Sequence, residues 1–329
     1  MDPRLVSEYL SRREGRDVQI DSVSRSAGGL SRETWFVRGP ETAMVFRCDL
    51  QGGATSCPVT LRFEYEMHRR LQNLGLPVAA ALWFENDEVA LGRPFYTREL
   101  VDGSPAVPGL GVPGPEGEEL LIAASREHVR KMAAVHTLDW RGAGFADILS
   151  APDSPQDAAL HTVRRLRNLY DELDLPLSPL IARAFEWFRE HAPANAPTLA
   201  LCKGSNGAMQ EVWRDGKIVA LSDWELASIG DPANDWARCY GLLPVLEGRW
   251  TPRDALDYYR ELTGFEISAE AMTYYKGLYS LEMTIISLYA GRAIRNGTLL
   301  DVRLAMLETS GHNSEMQLAK LIYGIELRS

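Results

Sequence analysis

The spacing of apolar positions changes along the chain, and each change predicts a different element. Residues 1–16 alternate apolar and charged positions at helical spacing, which predicts an N-terminal helix. Strand-like patterns follow. Val18–Ser24 is short and alternating, Thr34–Val37 is aromatic and β-branched, and Ala43–Cys48 is apolar. Between the first two lies SAGGLSRE, a turn with two glycines. Gln51–Ser56 is a loop of small residues. Leu61–Leu74 returns to helical spacing and stops near Gly75 and Pro77. Ala80–Glu85 and Pro94–Leu100 read as two more strands around a polar turn, Glu85–Glu88. The pattern predicts a five-stranded antiparallel sheet with one inserted helix.

Gly103–Gly117 is rich in Gly and Pro and has no periodicity, so it is a lid or a linker. Beyond it, long amphipathic helices are predicted over Leu120–Leu138, Gln156–Leu173 and Leu180–His191, and helices dominate again from Ala255. Leu199–Asp223 interrupts them with two short extended pieces around KGSNGAMQ and a turn at Asp215–Gly216. The layout is α+β: a small β-rich lobe over residues 1–102 and a large α-rich lobe over residues 103–329. Ligands favour clefts between such lobes.

Composition narrows the function classes. A net charge of −10 argues against nucleic acid as a partner, because phosphate backbones call for a basic face. The first residues lack the apolar core of a signal peptide, and no apolar run reaches the ~18 residues of a membrane span. Cys48, Cys57, Cys202 and Cys239 lack metal-site spacing and read as reduced thiols of a cytoplasmic protein.

Four groups of residues carry candidate chemistry. Asp223, in Asp223-Trp224-Glu225, follows the apolar run Ile218–Leu221, where a carboxylate can ligate Mg²⁺ or cap the next helix. Asp231 and Asp235 read as capping and loop-bracing groups. Arg47 ends a strand and Glu64 lies on the following helix; such a pair can hold phosphates or be a surface salt bridge. Gly28 and Gly29 would let backbone N–H groups approach a phosphate, and Glu99 to Val101 stand between the two lobes.

Six segments together resemble one family: SAGGLSRETWF, MVFRCDL, FEYEMHRRLQNLGLPV, FYTRELVDG, KMAAVHTLDWRGAGF and SDWELASIGDPANDWA. The chain resembles the aminoglycoside phosphotransferase and choline kinase-like superfamily, in the branch similar to the kinase-like domain of acyl-CoA dehydrogenase-fused proteins. The resemblance implies a bilobal protein-kinase-like fold. It also assigns roles. Gly28, Gly29 and Ser31 would cover phosphates, Arg47 would bind them with Glu64 as its helix partner, and Arg98 to Val101, including Glu99, would form the hinge. Asp223 would ligate Mg²⁺, with the residue at Gln210 as second metal ligand.

The chain departs from that pattern in one loop. The family's His-Gly-Asp, four residues, then Asn reads here Lys203-Gly204-Ser205, four residues, then Gln210. Serine cannot hold the negative charge of a general base near neutral pH. Glutamine is one methylene longer than the expected metal ligand. Lys203 could pair with Ser205 as a dyad, act as a base of lowered pKa, or pair with Asp223 in place of the metal. Trp236, Tyr240, Tyr274, Tyr275, Tyr279 and Tyr289, with Glu282 and Arg292 nearby, could line a pocket for an aromatic or amphipathic ligand or be core. The expectation is a divergent family member that binds a small, aromatic or hydroxylated molecule in the interlobe cleft without conventional phosphoryl transfer. Chemistry around Lys203, Ser205 and Asp223 would be absent or repurposed. ATP and Mg²⁺ enter only in the alternative, an active phosphotransferase on a hydroxyl group.

Overall fold

The computed structural model describes residues 1–26, 32–49, 59–176, 178–207, 209–239, 246, 249–297 and 302–324. The fold is bilobal α+β, β-rich towards the N-terminus and α-rich towards the C-terminus. The chain divides into two units. The first comprises Met1–Lys131, Arg141–Ile148 and Ala208–Leu226, and the second Met132–Trp140, Leu149–Gly207 and Ala227–Ser329.

In the first unit, helix α1 (Pro3–Glu14) opens where the Asp2 carboxylate accepts from Arg4 N, and closes at Gly15 in the left-handed region. Strands β1 (Ser22–Arg25), β2 (Arg32–Gly39), β3 (Thr42–Asp49), β4 (Ala81–Glu85) and β5 (Phe95–Glu99) form an antiparallel sheet in the order β1-β2-β3-β5-β4. Helix α2 (Leu61–Leu71), capped by Thr60, lies between β3 and β4 in sequence. Alternate strand residues point to opposite faces. Val37, Met44, Phe46, Cys48 and Phe95 pack with Val6, Tyr9 and Leu10 of α1. Arg47 and Tyr96, direct partners across β3 and β5, point the other way and both reach Glu64 of α2. One sheet face is therefore largely apolar, with the buried Glu33 paired to Arg93 at 2.6 Å, and the other carries a charged layer around Glu64.

The expected strand at Val18–Ser24 is replaced at its start by a packed segment. Val18 is buried against α1, its N–H donates to Ser11 Oγ at 2.9 Å and its carbonyl accepts from Ser7 Oγ, so its backbone is not available for strand pairing. The polar turn at Glu85–Glu88 runs into a one-turn helix, α3 (Glu88–Leu91).

Helices α4 (Pro115–His136), α5 (Pro155–Glu172) and α6 (Pro179–Glu190) follow, and then the short strands β6 (Ala200–Cys202), β7 (Glu211–Arg214), β8 (Lys217–Leu221) and β9 (Ser228–Gly230). β7 and β8 form a hairpin in the first unit. Asp215 and Gly216 have φ of 52° and 71° at its tip, the two left-handed residues that a tight two-residue turn needs. Leu221 N donates to Pro77 O at 2.7 Å and joins the hairpin to the first unit. β6 pairs with β9 in the second unit. The chain continues through α7 (Ala233–Trp236), α8 (Pro252–Thr263), α9 (Ala269–Arg295) and α10 (Val302–Tyr323). The second unit's core is built from α5, α6, α9 and α10 around Leu166, Phe188, Tyr274, Leu281 and Leu318. Among the described residues no helix is long and apolar enough to cross a membrane.

Candidate functional site

Glu64 and His68 lie one turn apart on α2, so both face the sheet. Glu64 Oε1 accepts from Arg32 Nε at 2.7 Å, and Oε2 accepts from Arg47 Nη2 at 2.9 Å and from Tyr96 OH at 3.1 Å. Arg32, 2% exposed, also donates to Asp49 Oδ1 at 2.6 Å and to the carbonyl of Val59. Arg47 Nη1 donates to Thr34 Oγ1 at 3.0 Å. Burial would raise the Glu64 carboxyl, but the charges of Arg47 and Arg32 outweigh it and hold the group below its ordinary value. His68 Nδ1 donates to Ala79 O at 3.1 Å, which leaves Nε2 as an acceptor facing Arg98 Nη1 at 3.4 Å. Burial, then the charge of Arg98, pushes His68 down to about 3, so the ring is neutral.

The β7–β8 hairpin presents Asp223. Ser222 N and Oγ both donate to the main-chain carbonyl of Gln210, at 3.0 and 2.9 Å, and close the hairpin's open end. Trp224 is buried and its Nε1 donates to Leu221 O at 3.2 Å. Between these two anchors Asp223 adopts φ 63°, a conformation that costs an ordinary residue on the order of 1 kcal/mol. Its half-buried carboxylate makes no hydrogen bond or ion pair with the described residues. Asp223 raises Arg98 electrostatically, and Glu225 does the same for Arg47.

In the second unit, the loop Lys203-Gly204-Ser205 follows β6. Gly204 has φ 83°, which suits glycine alone among common residues. Lys203 N and Gly204 N donate to the two oxygens of Asp235, at 2.7 and 2.8 Å. Asp235 Oδ2 also meets His136 Nε2 at 3.0 Å, and His136 Nδ1 meets Tyr259 OH at 2.8 Å. Burial opposes the Asp235 charge, but His136 and the two backbone donors outweigh it and keep the carboxyl low. Asp231 Oδ1 accepts from Ala233 N at 2.9 Å and opens α7, while burial lifts its pKa to about 6. Lys203 is 2% exposed, and its ammonium donates to the main-chain carbonyl of Ser205.

His136, Cys202 and Asp235 form a buried cluster of potential metal ligands, with ligand atoms within 4.8 Å of one another. Both oxygens of Asp235 and both nitrogens of His136 already have hydrogen-bond partners, and burial pushes the Cys202 thiol well up. The hydrogen bonds make the arrangement a polar brace for the loop backbone.

The remaining sequence-derived residues are placed as follows. Arg47 and Glu64 form an ion pair inside the charged layer. Glu99 ends β5 with an exposed side chain, its N–H donating to Ala80 O at 2.9 Å, and Val101 is half-buried. Gly28, Gly29, Ser31, Cys57 and Tyr240 lie outside the described residues. Trp236, Tyr274 and Tyr275 are buried in the second unit, and Tyr289 packs against its core. Tyr279 lies under Arg238, whose guanidinium is 5.1 Å from the ring. Glu282 is buried and accepts from Arg165 at 2.9 Å and from Arg238. Arg292 Nη1 donates to Asp174 O at 2.5 Å. Sequence reasoning missed Arg32, Tyr96, His68 and His136 as members of these networks. His136 lies in KMAAVHTLDWRGAGF, so the segment was singled out but not the residue.

Residues 22–271 match the model of the phosphotransferase enzyme family. Mouse acyl-CoA dehydrogenase family member 10 is 25% identical over 215 residues, which cover 64% of this chain and 19% of that protein. The chain thus spans about a fifth of that relative's length. A crystal structure from Ralstonia eutropha JMP134, bearing an unproven assignment as an aminoglycoside phosphotransferase, superimposes with a TM-score of 0.75 at 20% identity over 99% of both chains. A thermostable mutant of aminoglycoside phosphotransferase APH(4)-Ia, in ternary complex with ADP and hygromycin B, gives a TM-score of 0.63 at 16% identity over 98% of this chain and 99% of that one. At these identities the structural likeness shows a shared fold.

Proposed function

This chain belongs to the phosphotransferase enzyme family, and on that premise we propose that it binds a small molecule without conventional ATP-dependent phosphoryl transfer. One observation carries this reading. The loop where the family resemblance expects the catalytic base is held at its backbone by Asp235, yet its side chains are Lys203 and Ser205. The scaffold of a transfer site is retained while the group that accepts the substrate proton is missing.

The metal side points the same way. Asp223 and the side-chain amide of Gln210 are the oxygen donors that the resemblance assigns to Mg²⁺. One carboxylate and one amide are the donor types such sites use, but the Gln210 amide stands one methylene further from its backbone than the expected asparagine, and the Arg98 cation acts on the Asp223 carboxylate. No step through a metal is assigned. Whether Lys203 and Ser205 serve binding alone or a different reaction is part of the same proposal.

The second reading, an active phosphotransferase acting on a hydroxyl group, draws on Asp223, whose carboxylate is presented in a left-handed conformation without a partner among the described residues. Phosphoryl transfer has a loose transition state and depends less on a base than acyl transfer does. Titration calorimetry with ATP, with Mg²⁺ and then with excess EDTA, separates the two. Weak or absent binding that is insensitive to EDTA is expected. Micromolar affinity lost on chelation would support the active enzyme.

A further inference from the structure

Within the first unit, the end of α2, the turn after it, the start of β4 and Ala143 enclose a cavity of about 580 Å³. That size suits a small ligand. Glu64 and His68 face the sheet, whereas Arg69 and Arg70 lie about 140° and 240° around the helix from Glu64 and line the cavity. Their side chains are 58% and 25% exposed, within a ligand's reach. Both are loosely matched by carboxylates. Arg69 Nε is 3.8 Å from Glu66, and Arg70 Nη2 is 3.4 Å from the exposed Asp147. A Cβ on residue 144 would stand 3.0 Å from Arg70 Nη1, so Gly144, at φ 74°, lets the loop backbone close on that guanidinium and hold it in place. Gln72 Oε1 accepts from Ala81 N at 2.7 Å, which leaves its amide nitrogen as a donor with no partner among the described residues. Tyr65, Leu74 and Leu82 add an apolar lining. The β4–β5 register shifts between Ala81 and Trp83, so Leu82 is the extra residue of a bulge, and its side chain is exposed. Bulges re-aim side chains in this way beside functional sites. A helix C-terminus favours cations by itself, but that accounts for neither the free amide nor the exposed leucine.

We infer that this cavity binds a small organic carboxylate, with the carboxylate on Arg69 and Arg70 and the apolar body against Leu74, Leu82 and the Tyr65 ring. The polar lining is rich in donors, so the ligand supplies acceptor oxygens, and a guanidinium fork matches a carboxylate. Glu66 and Asp147 already offset part of the positive charge, which favours a singly charged head over a doubly charged phosphate. Lys203, Ser205 and Asp223 take no part in this site.

The test uses the full chain in calorimetry and thermal unfolding, with benzoate, phenylacetate and hexanoate as probes. Benzamide is the neutral counterpart of benzoate, and phenyl phosphate the doubly charged one. At least one carboxylate is expected to bind with a Kd of about 1 mM or tighter and to raise the melting temperature. Benzamide should bind about tenfold or more weakly than benzoate, and Arg70→Met should weaken the carboxylate by a similar factor. Leu82→Glu, at an exposed position, should abolish binding by setting a like charge in the cavity. If Arg70→Met does not fold, Arg69→Met is read in its place beside Leu82→Glu. Failure of all three carboxylates to bind overturns the inference. So does carboxylate affinity unchanged in the arginine variant and in Leu82→Glu, which would place the probe elsewhere. Benzamide or phenyl phosphate binding as tightly as benzoate also overturns it. ATP consumption by the natural chain would overturn the preceding reading and leave these binding results as they are.

Discussion

Between Ala79 O and Arg98, the His68 ring has room for one proton, on Nδ1. A second proton would place a charge beside the buried Arg32 and the half-buried Arg47 and Arg98. The folded pKa is about 3, against an ordinary value of 6.5. The unfolded chain therefore binds a proton that the folded chain refuses throughout that window. Stability linked to His68 is full above about pH 6.5 and falls as pH drops towards about 3. Asp231 has the opposite sign, since its folded value of about 6 lies above the ordinary 3.8. Its contribution is present below 3.8 and is lost as pH rises through 6. Comparing the natural chain with His68→Gln isolates the histidine. Between pH 7 and pH 5 the natural chain should lose about 2 kcal/mol more stability than the variant in urea titrations. Parallel curves would show that His68 takes up its proton in the fold.

At the scale of elements, the joint between α2 and the sheet is ionic. One carboxylate, Glu64, receives two guanidiniums and a tyrosine hydroxyl. Removing its charge leaves Arg47 without a carboxylate partner, and Arg32 with Asp49 as its carboxylate partner, among the described residues. Glu64→Gln should therefore cost about 3–5 kcal/mol in chemical denaturation, and a loss below ~1 kcal/mol would place the layer in solvent contact. This joint was half legible beforehand. Arg47 and Glu64 stood out from their places on a strand end and a helix. Arg32 pairs with a residue 32 positions away, and no local pattern carries such a pairing. Elements with strong periodicity were read well: α1, α2, α5 and α6 lie within a few residues of their expected spans. β9 was missed because three residues, Ser228–Gly230, are too few to show alternation. α3 was missed because a single turn has no period. The brace under the loop at 203–205 joins His136 to Asp235 across 99 positions, and only the loop-bracing character of Asp235 was readable from its neighbours.

For the molecule as a whole, the chain has the fold of the phosphotransferase enzyme family, and the proposed function rests on a difference in loop chemistry. The hairpin presents Asp223, and Asp235 positions the backbone of Lys203 and Gly204. The proposed reading turns on Ser205, which stands where the family resemblance expects a carboxylate. Restoring Lys203→His, Ser205→Asp and Gln210→Asn together is expected to recover little turnover, because transfer needs the whole site ordered to within about 0.5 Å. The most direct test is ATP consumption by the natural chain and by Asp223→Ala, with Mg²⁺ and a panel of hydroxylated small molecules. No consumption above background is expected for either protein. Turnover by the natural chain at about 1 s⁻¹ or faster, abolished in Asp223→Ala, would contradict a transfer-deficient function.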